Sequence, residues 1–302
     1  MKIVMTGATG AIGMALLEKH VQLGHQILVI VNPNSKRNSR LKKFKNLEII
    51  ECDLDKYSKL NINKKFDHFY HLAWQGGSDR ENIQINSRSL FASISAVELS
   101  NKLGCKSFMG AGSQAECGKK NEKISEKTNC VPHTAFGAAK LSAYYMTSFA
   151  AKQYGIRFSW ARILSIYGPY DGENTLIIST IKKLLMNKSC EFSSGNQTWD
   201  FLYSEDAAEA LLNIAMYSKE GGIYTIGSGR PRRLKDYLYP LLKSFDIHDD
   251  SYFGKLRNFK NQVDFLAADV SKLKNEFNWQ PKYSFENGLK KTIEYCRNNI
   301  IL

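Results

Sequence analysis

No apolar stretch in these 302 residues approaches the ~20 needed to cross a bilayer. The apolar run near the start is also too short for a secretory signal core, so the expectation is a cytoplasmic chain without a membrane partner. Cysteine pairs at metal-binding spacing are missing too. Cys52, Cys105, Cys117, Cys130, Cys190 and Cys296 are scattered with no C-x-x-C, which speaks against a metal site or a disulfide framework and for reduced, buried thiols. There is no internal repeat or long linker, only lysine- and asparagine-rich loops from Asn32 to Lys45 and from Lys119 to Asn129. Acidic residues are scarce: 29 Asp and Glu stand against 42 Lys and Arg, a net charge of +13. The lysines are dispersed without a recognition motif or a basic-aromatic stripe, so no nucleic-acid partner is expected; an anionic small substrate explains the surplus more simply. At 43% hydrophobic and 24% charged residues, the chain can bury a full core as one large α/β unit or as a main domain with a smaller appendage.

What is present begins with KIVMTGATGAIG, Lys2 to Gly13. Ile3, Val4 and Met5 form a short apolar strand. The run Thr6 to Gly13 then breaks it, and Met14, Ala15, Leu16 and Leu17 are good helix formers. Strand, glycine turn and helix make a phosphate site, because unpaired N–H groups and the positive end of the helix dipole point out of the turn. Glycine at positions 7, 10 and 13 lets the turn close and a pyrophosphate approach. Gln26 to Val31 reads as a buried parallel strand. In a dinucleotide fold, an acid at the end of this strand would bond the adenosine ribose. The chain instead runs Asn32-Pro33-Asn34-Ser35-Lys36-Arg37, with Arg40 nearby, which favours NADP(H) and leaves NAD(H) possible. Further strands are expected at Leu47 to Ile50, Phe66 to His71, Ser107 to Ala111, Ser159 to Ile166 and Ile223 to Ile226. A long helix is expected from Ile83 to Leu103, its packing face carrying Ile83, Leu90, Ile94, Val97 and Leu103. The fifth strand delivers Gly112-Ser113-Gln114-Ala115-Glu116-Cys117-Gly118 to the edge of an open sheet where ligands sit.

With its Thr6-Gly7-x-x-Gly10-x-x-Gly13 opening, the chain resembles the extended short-chain dehydrogenase/reductase superfamily, in particular the NAD-dependent epimerase/dehydratase family. The likeness extends to His71-Leu72-Ala73, Asn86, Ser113, Lys140, Arg162, Tyr167-Gly168-Pro169 and the closing Phe277-Asn278-Trp279-Gln280-Pro281, with Trp279 read as core. It implies a Rossmann-type, doubly wound parallel α/β sheet with a small C-terminal substrate-binding lobe. Residues 1–168, with returning segments near 199–226, would bind the dinucleotide; 169–198 and 227–302 would be mainly the substrate lobe. The resemblance places Gly7, Thr9, Gly10, Ala11, Ile12, Gly13, Asn32, Arg37, Asp53, Leu54, Leu72, Ala73 and Lys140 at the cofactor. For Asp53, capping of a turn is the alternative. Trp74, Ser113, Gln114, Arg162, Arg230, Arg232 and Arg257 would face a nucleotide-diphosphate sugar, arginine being suited to bidentate phosphate contacts.

Family members carry a Ser or Thr after the fifth strand and Tyr-x-x-x-Lys on the next helix, where the tyrosine moves the proton, the lysine lowers its pKa and holds the ribose, and the serine bonds the same sugar oxygen. This chain reads Phe136-Gly137-Ala138-Ala139-Lys140, and Tyr144 and Tyr145 have Ser148 and Phe149 four residues on, so no shifted motif restores the tyrosine. Phe136 is an engineered substitution, a natural one with another proton route, or the mark of a protein that binds cofactor without chemistry. Gln114-Ala115 replaces the Asp-Glu pair of sugar 4,6-dehydratases and cannot eliminate water. Cys117 replaces a tyrosine without an evident reason. The implied activity is NAD(P)-dependent reduction of a 4-keto-6-deoxy sugar nucleotide at C4, with 4-epimerisation and a catalytically silent role as alternatives. The resemblance implies a homodimer through the helices bearing Lys140 and Asn86, with Leu141, Tyr145 and Phe149 either on the apolar face between copies or turned to their own core.

Overall fold

The computed structural model describes residues 1–75, 77, 79–257 and 263–299. In chain order the elements are β1 (Lys2–Thr6), α1 (Ala11–Gln22), β2 (Gln26–Val31), β3 (Leu47–Glu51), β4 (His68–His71), α2 (Ile83–Lys102), β5 (Ser107–Ser113), α3 (Ala135–Gln153), β6 (Arg157–Ile163), β7 (Ser165–Tyr167) and α4 (Leu176–Leu185). There follow β8 (Thr198–Trp199), β9 (Phe201–Tyr203), α5 (Ser204–Tyr217), β10 (Gly222–Ile226), β11 (Arg232–Arg233), α6 (Leu234–Lys243), α7 (Ser271–Phe277) and α8 (Phe285–Asn299). Seven strands form one parallel sheet in the order β10-β6-β5-β4-β1-β2-β3. This is the Rossmann-like, doubly wound sheet expected. The order reverses at β1, which lies between β2 and β4, so a crevice opens at the C-terminal ends of these strands beside the glycine turn.

The continuous apolar strands follow from burial on both faces. Ile3 and Met5 of β1 pack with Met14, Leu16 and Leu17 of α1 and with Leu211 of α5. Val4, one residue out of phase, joins Leu28, Phe69, Ala96 and Val97 on the other face. On that second face α2 departs from expectation. Its buried positions are Asn86, Ser89, Ala92, Ser93, Ala96, Val97, Leu99 and Ser100, whereas Ile83 is 70% and Phe91 66% exposed. Of the expected face Val97 and Leu103 are buried and Leu90 and Ile94 half-buried, while small side chains at Ser89, Ala92, Ser93 and Ala96 fill the rest of the contact and let the helix lie close to the sheet and to α3. No helix among the described residues is long and apolar enough to cross a membrane.

The strand expected from Ser159 to Ile166 divides in two. β6 stays in the main sheet, while β7 leaves it to pair in parallel with β9. A second core forms there from Ile177, Ile181, Phe192, Phe201, Tyr237, Leu241, Phe285 and Leu289. The segment holding Leu273 and Trp279 packs instead into the core of the main sheet, and Trp279 is buried as expected. Two buried carboxylates tie the C-terminal third down. Asp200 accepts backbone N–H groups from Ser228 (2.7 Å), Gly229 (3.0 Å) and Ala268 (2.9 Å), and Asp206 accepts from Lys282 (3.0 Å) and Tyr283 (3.1 Å). Charge-assisted bonds to several amides offset the desolvation of each carboxylate.

Candidate active site

The three glycines of the first turn do different work. Gly7 has φ +71°, and a Cβ on it would lie 2.5 Å from the backbone of Leu72 and Ala73, so the turn sits directly on the end of β4. A Cβ on Gly13 would lie 2.2 Å from Gly7 O, which closes the turn against α1. Gly10 has nothing nearer than 3.8 Å, so its bare backbone leaves room for a ligand. Gly10 is also the helix N-cap, with no side-chain cap and no acid in the first turn, which leaves the positive helix end free for an anion.

Gly7, Thr9, Gly10, Asn32, Arg37, Leu54, Leu72, Ala73 and Trp74 line one cleft of about 480 Å³. These are nine of the sequence-predicted positions, and a cradle that a Cβ would fill suits a dinucleotide. Ala11 stands on the first turn of α1, while Ile12 turns toward the sheet core. Asp53 follows its alternative reading: it caps the next turn, accepting from Leu54 N at 2.8 Å, and pairs with Arg88 at 3.0 Å. Arg40 is engaged elsewhere, donating to Thr9 O (2.6 Å) and Tyr170 O (3.1 Å). The sequence preference for NADP(H) therefore keeps only Arg37 of its two arginines. Tyr57, which the sequence reading missed, is a further wall of the cleft. His71 is structural: its ring nitrogens meet Thr6 Oγ1 (2.9 Å) and Ser93 Oγ (3.1 Å), and burial, with Lys140 adding, pushes its pKa down to about 3.

Beyond Trp74 lies the second half of the site. Ser113 ends β5, paired in register with Ile163, and caps a 3-10 turn at Gln114–Glu116. Its Oγ accepts from Ala115 N at 3.2 Å and keeps its own proton to donate. Glu116, with 0% exposure, completes the capping box by accepting from Ser113 N at 2.7 Å; it also accepts from Trp160 Nε1 (3.0 Å) and Arg162 Nε (3.2 Å). Arg162 is 2% exposed and donates also to Ser125 O at 2.9 Å. The structure thus places Arg162 behind the Ser113 turn as its support, where the sequence reading had it facing the sugar. Gln114 is half-buried on the turn itself.

Lys140 and Phe136 lie one turn apart on the buried face of α3. Lys140 Nζ donates to Ala111 O at 2.5 Å and sits 3.9 Å from the centre of the Trp74 ring. Burial brings the ammonium down to about 7, opposed by the Glu116 carboxylate. Phe136, 8% exposed, meets Trp74 edge to face at 6.0 Å and carries the Arg80 guanidinium 5.5 Å over its ring. Trp74 is oriented by Nε1 donation to Asn86 Oδ1 at 3.1 Å, while Asn86 Nδ2 donates to Asn82 O at 2.8 Å, which gives the buried asparagine of α2 its local reason. Trp74 therefore joins the cleft to the Lys140 corner.

On the far side, Arg232 pairs with Glu286 at 2.7 Å and shares a small cavity of about 60 Å³ with Arg230. Arg230 is exposed and has no carboxylate partner among the described residues; Arg257 is exposed as well. Among the described residues no group of three or more His, Cys, Asp or Glu could hold a metal ion.

The profile of the NAD dependent epimerase/dehydratase family matches residues 3–227. The chain is 25% identical to a putative UDP-glucose 4-epimerase of Methanocaldococcus jannaschii over 98% of this chain and 99% of that protein. It is 26% identical to CDP-abequose synthase of Salmonella typhimurium over 97% of each. Its fold is similar to that of UDP-glucuronic acid 4-epimerase from Bacillus cereus, solved with UDP-glucuronic acid and NAD, with a TM-score of 0.88 at 22% identity over 99% of both chains.

Proposed function

The chain belongs to the NAD dependent epimerase/dehydratase family, and from that premise we propose that it binds a nicotinamide adenine dinucleotide and a nucleoside-diphosphate sugar and acts at C4 of the sugar. Reduction of a 4-keto-6-deoxy group is the reading we adopt. The observation that supports action at C4 is the corner itself: a capped Ser113 at the end of β5, and a buried Lys140 one helical turn from a ring that lacks a single hydroxyl. The relatives named above act, by their names, on UDP- and CDP-linked sugars, which supports the substrate class. In this reading residues 1–168 with 199–226 hold the dinucleotide, and 169–198 with 227–302 hold most of the sugar nucleotide.

A dinucleotide held in the cleft by Gly7, Gly10 and Ala73 would supply hydride chemistry at C4. Ser113 Oγ donates to the C4 oxygen and fixes the ring. Lys140 would hold the cofactor ribose and, when protonated, place positive charge next to the C4 oxygen. Phe136 fills the space of the family tyrosine but has no proton to give, so turnover is slow unless another donor serves. At the ribose end Asn32, Ser35 and Arg37, with no acid, form a lip that admits NADP(H) as well as NAD(H). Arg230 and Arg257 remain the candidates for the diphosphate. Phe91, Tyr145, Met146 and Phe149 are exposed on the packed pair α2 and α3, a face suited to a second copy of the chain. The setting we propose is cytoplasmic.

Epimerisation is the second reading, favoured by the full-length likeness to a putative UDP-glucose 4-epimerase. Phe136→Tyr separates the readings when assayed with NADPH and NADH against 4-keto-6-deoxy sugar nucleotides and with NAD against UDP-sugars. Reductase activity consumes the reduced cofactor, whereas epimerase activity interconverts sugars without net consumption. A folded, cofactor-binding variant with neither activity is the result expected of a silent binding protein.

A further inference from the structure

Cys117 stands where the family carries a tyrosine, and the structure shows what meets it. Cys130 Sγ lies 3.1 Å from Cys117 Sγ, and both are free thiols. Their positions are set from both sides. Cys117 closes the turn that Ser113 opens, donating its N–H to Gln114 O at 3.0 Å, and is buried with Ile124, Leu164 and Leu266. Cys130 is half-buried in the loop leading to α3, and its neighbour Val131 donates back to Cys117 O at 3.4 Å. Four residues later Thr134 caps α3 by accepting from Gly137 N at 3.0 Å. A disulfide bond is about 2 Å long, so the sulfur atoms need to close by only about 1 Å.

The surroundings also distinguish the two thiols from the other four. The hydrogen bond from Cys117, helped by the Arg162 guanidinium and opposed by burial, brings Cys130 down to about 7, while its partner is raised. Burial pushes Cys105 up to about 12 and Cys296 up to about 11, and it raises Cys52 and Cys190 as well. Cys130 is therefore the thiol most readily present as thiolate, the reactive form, and it has a resolving thiol in contact.

We infer that Cys117 and Cys130 are an oxidisable dithiol, a modification site at which a peroxide forms an intramolecular disulfide. The Cys130 thiolate attacks one peroxide oxygen, the O–O bond breaks, and the departing hydroxide takes up a proton to leave as water. Cys117 sulfur then attacks the resulting sulfenic acid and displaces a second water. Two thiols and one hydrogen peroxide thus become one disulfide and two waters. The bond joins positions 13 apart in sequence and ties the Ser113 turn to the loop that leads into the Phe136 and Lys140 helix, so the redox state sets the spacing of the two walls.

The test needs no substrate, so it stands apart from the proposed activity. The folded full-length chain is treated with one equivalent of hydrogen peroxide, the remaining thiols are alkylated, and peptides are mapped without reductant. The expected product is a single polypeptide, not cross-linked to another, that loses two hydrogen atoms on oxidation and then takes up four alkyl groups, with a single Cys117–Cys130 link and full reversal of that link by dithiothreitol. Before oxidation Cys130 alkylates roughly tenfold or more faster than Cys52, Cys105, Cys190 or Cys296. Cys117→Ser stops at a sulfenic acid on Cys130 that dimedone traps. Oxidation spread over all six cysteines, links between chains, or six thiols surviving peroxide would overturn the inference. The wild-type map decides it even if the variant does not fold.

Discussion

At the start of α1 the cleft is made of backbone: Gly7 lies on Leu72 and Ala73, Gly13 closes on Gly7, and Gly10 faces open space. The corner at Lys140 is made of side chains: Ser113 held by Glu116, Lys140 under Trp74, and Phe136 packed edge-on against the same indole. In the proposed function the backbone half would recognise a ligand through groups every residue has, so its requirement is negative, that no Cβ intrude. The side-chain half depends on particular atoms. Its shape can persist when its chemistry does not, because phenylalanine and tyrosine fill nearly the same volume.

The sharpest way to break this comparison is Phe136→Tyr. A general acid contributes on the order of 10²- to 10⁴-fold, so restoring the hydroxyl raises kcat for cofactor-coupled turnover by about that range with little change in cofactor Kd; initial-rate kinetics check it. Arg162→Met should come next, now as a loss of stability. It strands the Glu116 carboxylate in the interior and lowers stability by about 3–5 kcal/mol in urea unfolding. The double variant with Glu116→Gln recovers part of that loss.

The glycines separate folding from binding. Gly7→Ala, at positive φ and against backbone, lowers stability by about 1–3 kcal/mol. Gly10→Ala, at a helix N-cap where alanine is poorer than glycine, lowers stability by no more than about 1 kcal/mol and weakens dinucleotide binding by roughly tenfold, because the new methyl would stand where the proposed pyrophosphate approaches. The fold also has an acid limit. His20 and His71 are pushed to about 3 and His68 to about 4, chiefly by burial, so the folded state keeps them neutral while the unfolded chain takes up protons below about 6.5. The unfolded state then binds more protons, so stability falls as pH drops from about 6.5 through about 4 toward about 3. Urea midpoints at neutral and acid pH measure this. Arg37→Ala is expected to have the smallest effect, a few-fold weakening of NADPH binding with NADH unchanged, since a single exposed guanidinium is screened by solvent.

The backbone half was the more legible in sequence, because a glycine spacing after an apolar strand states its own geometry. Ser113 and Lys140 were singled out by the resemblance to the family motif; the structure places the first at the end of β5 and the second on the buried face of α3. What the sequence hid depends on partners far along the chain. Arg162 and Glu116 are 46 residues apart, and Asp200 and Ala268 are 68 apart, so nothing local marks either carboxylate as buried. Arg40 reads as a free cation until the fold brings the Tyr170 carbonyl beside it. On α2 periodicity pointed to Ile83, Leu90, Ile94, Val97 and Leu103; Val97 and Leu103 are buried, but the small residues Ala92, Ser93 and Ala96 that close packing also selects carry no hydrophobic signal, and Ile83 is exposed.

The most direct test of the account is calorimetric titration of the unaltered chain with NADH and with NADPH, beside the Gly10→Val variant. The account predicts saturable one-to-one binding of at least one reduced dinucleotide in spite of Phe136, and its loss in a Gly10→Val protein that remains folded. A folded wild-type chain that binds neither dinucleotide, or a Gly10→Val chain that binds as well as wild type, would contradict it.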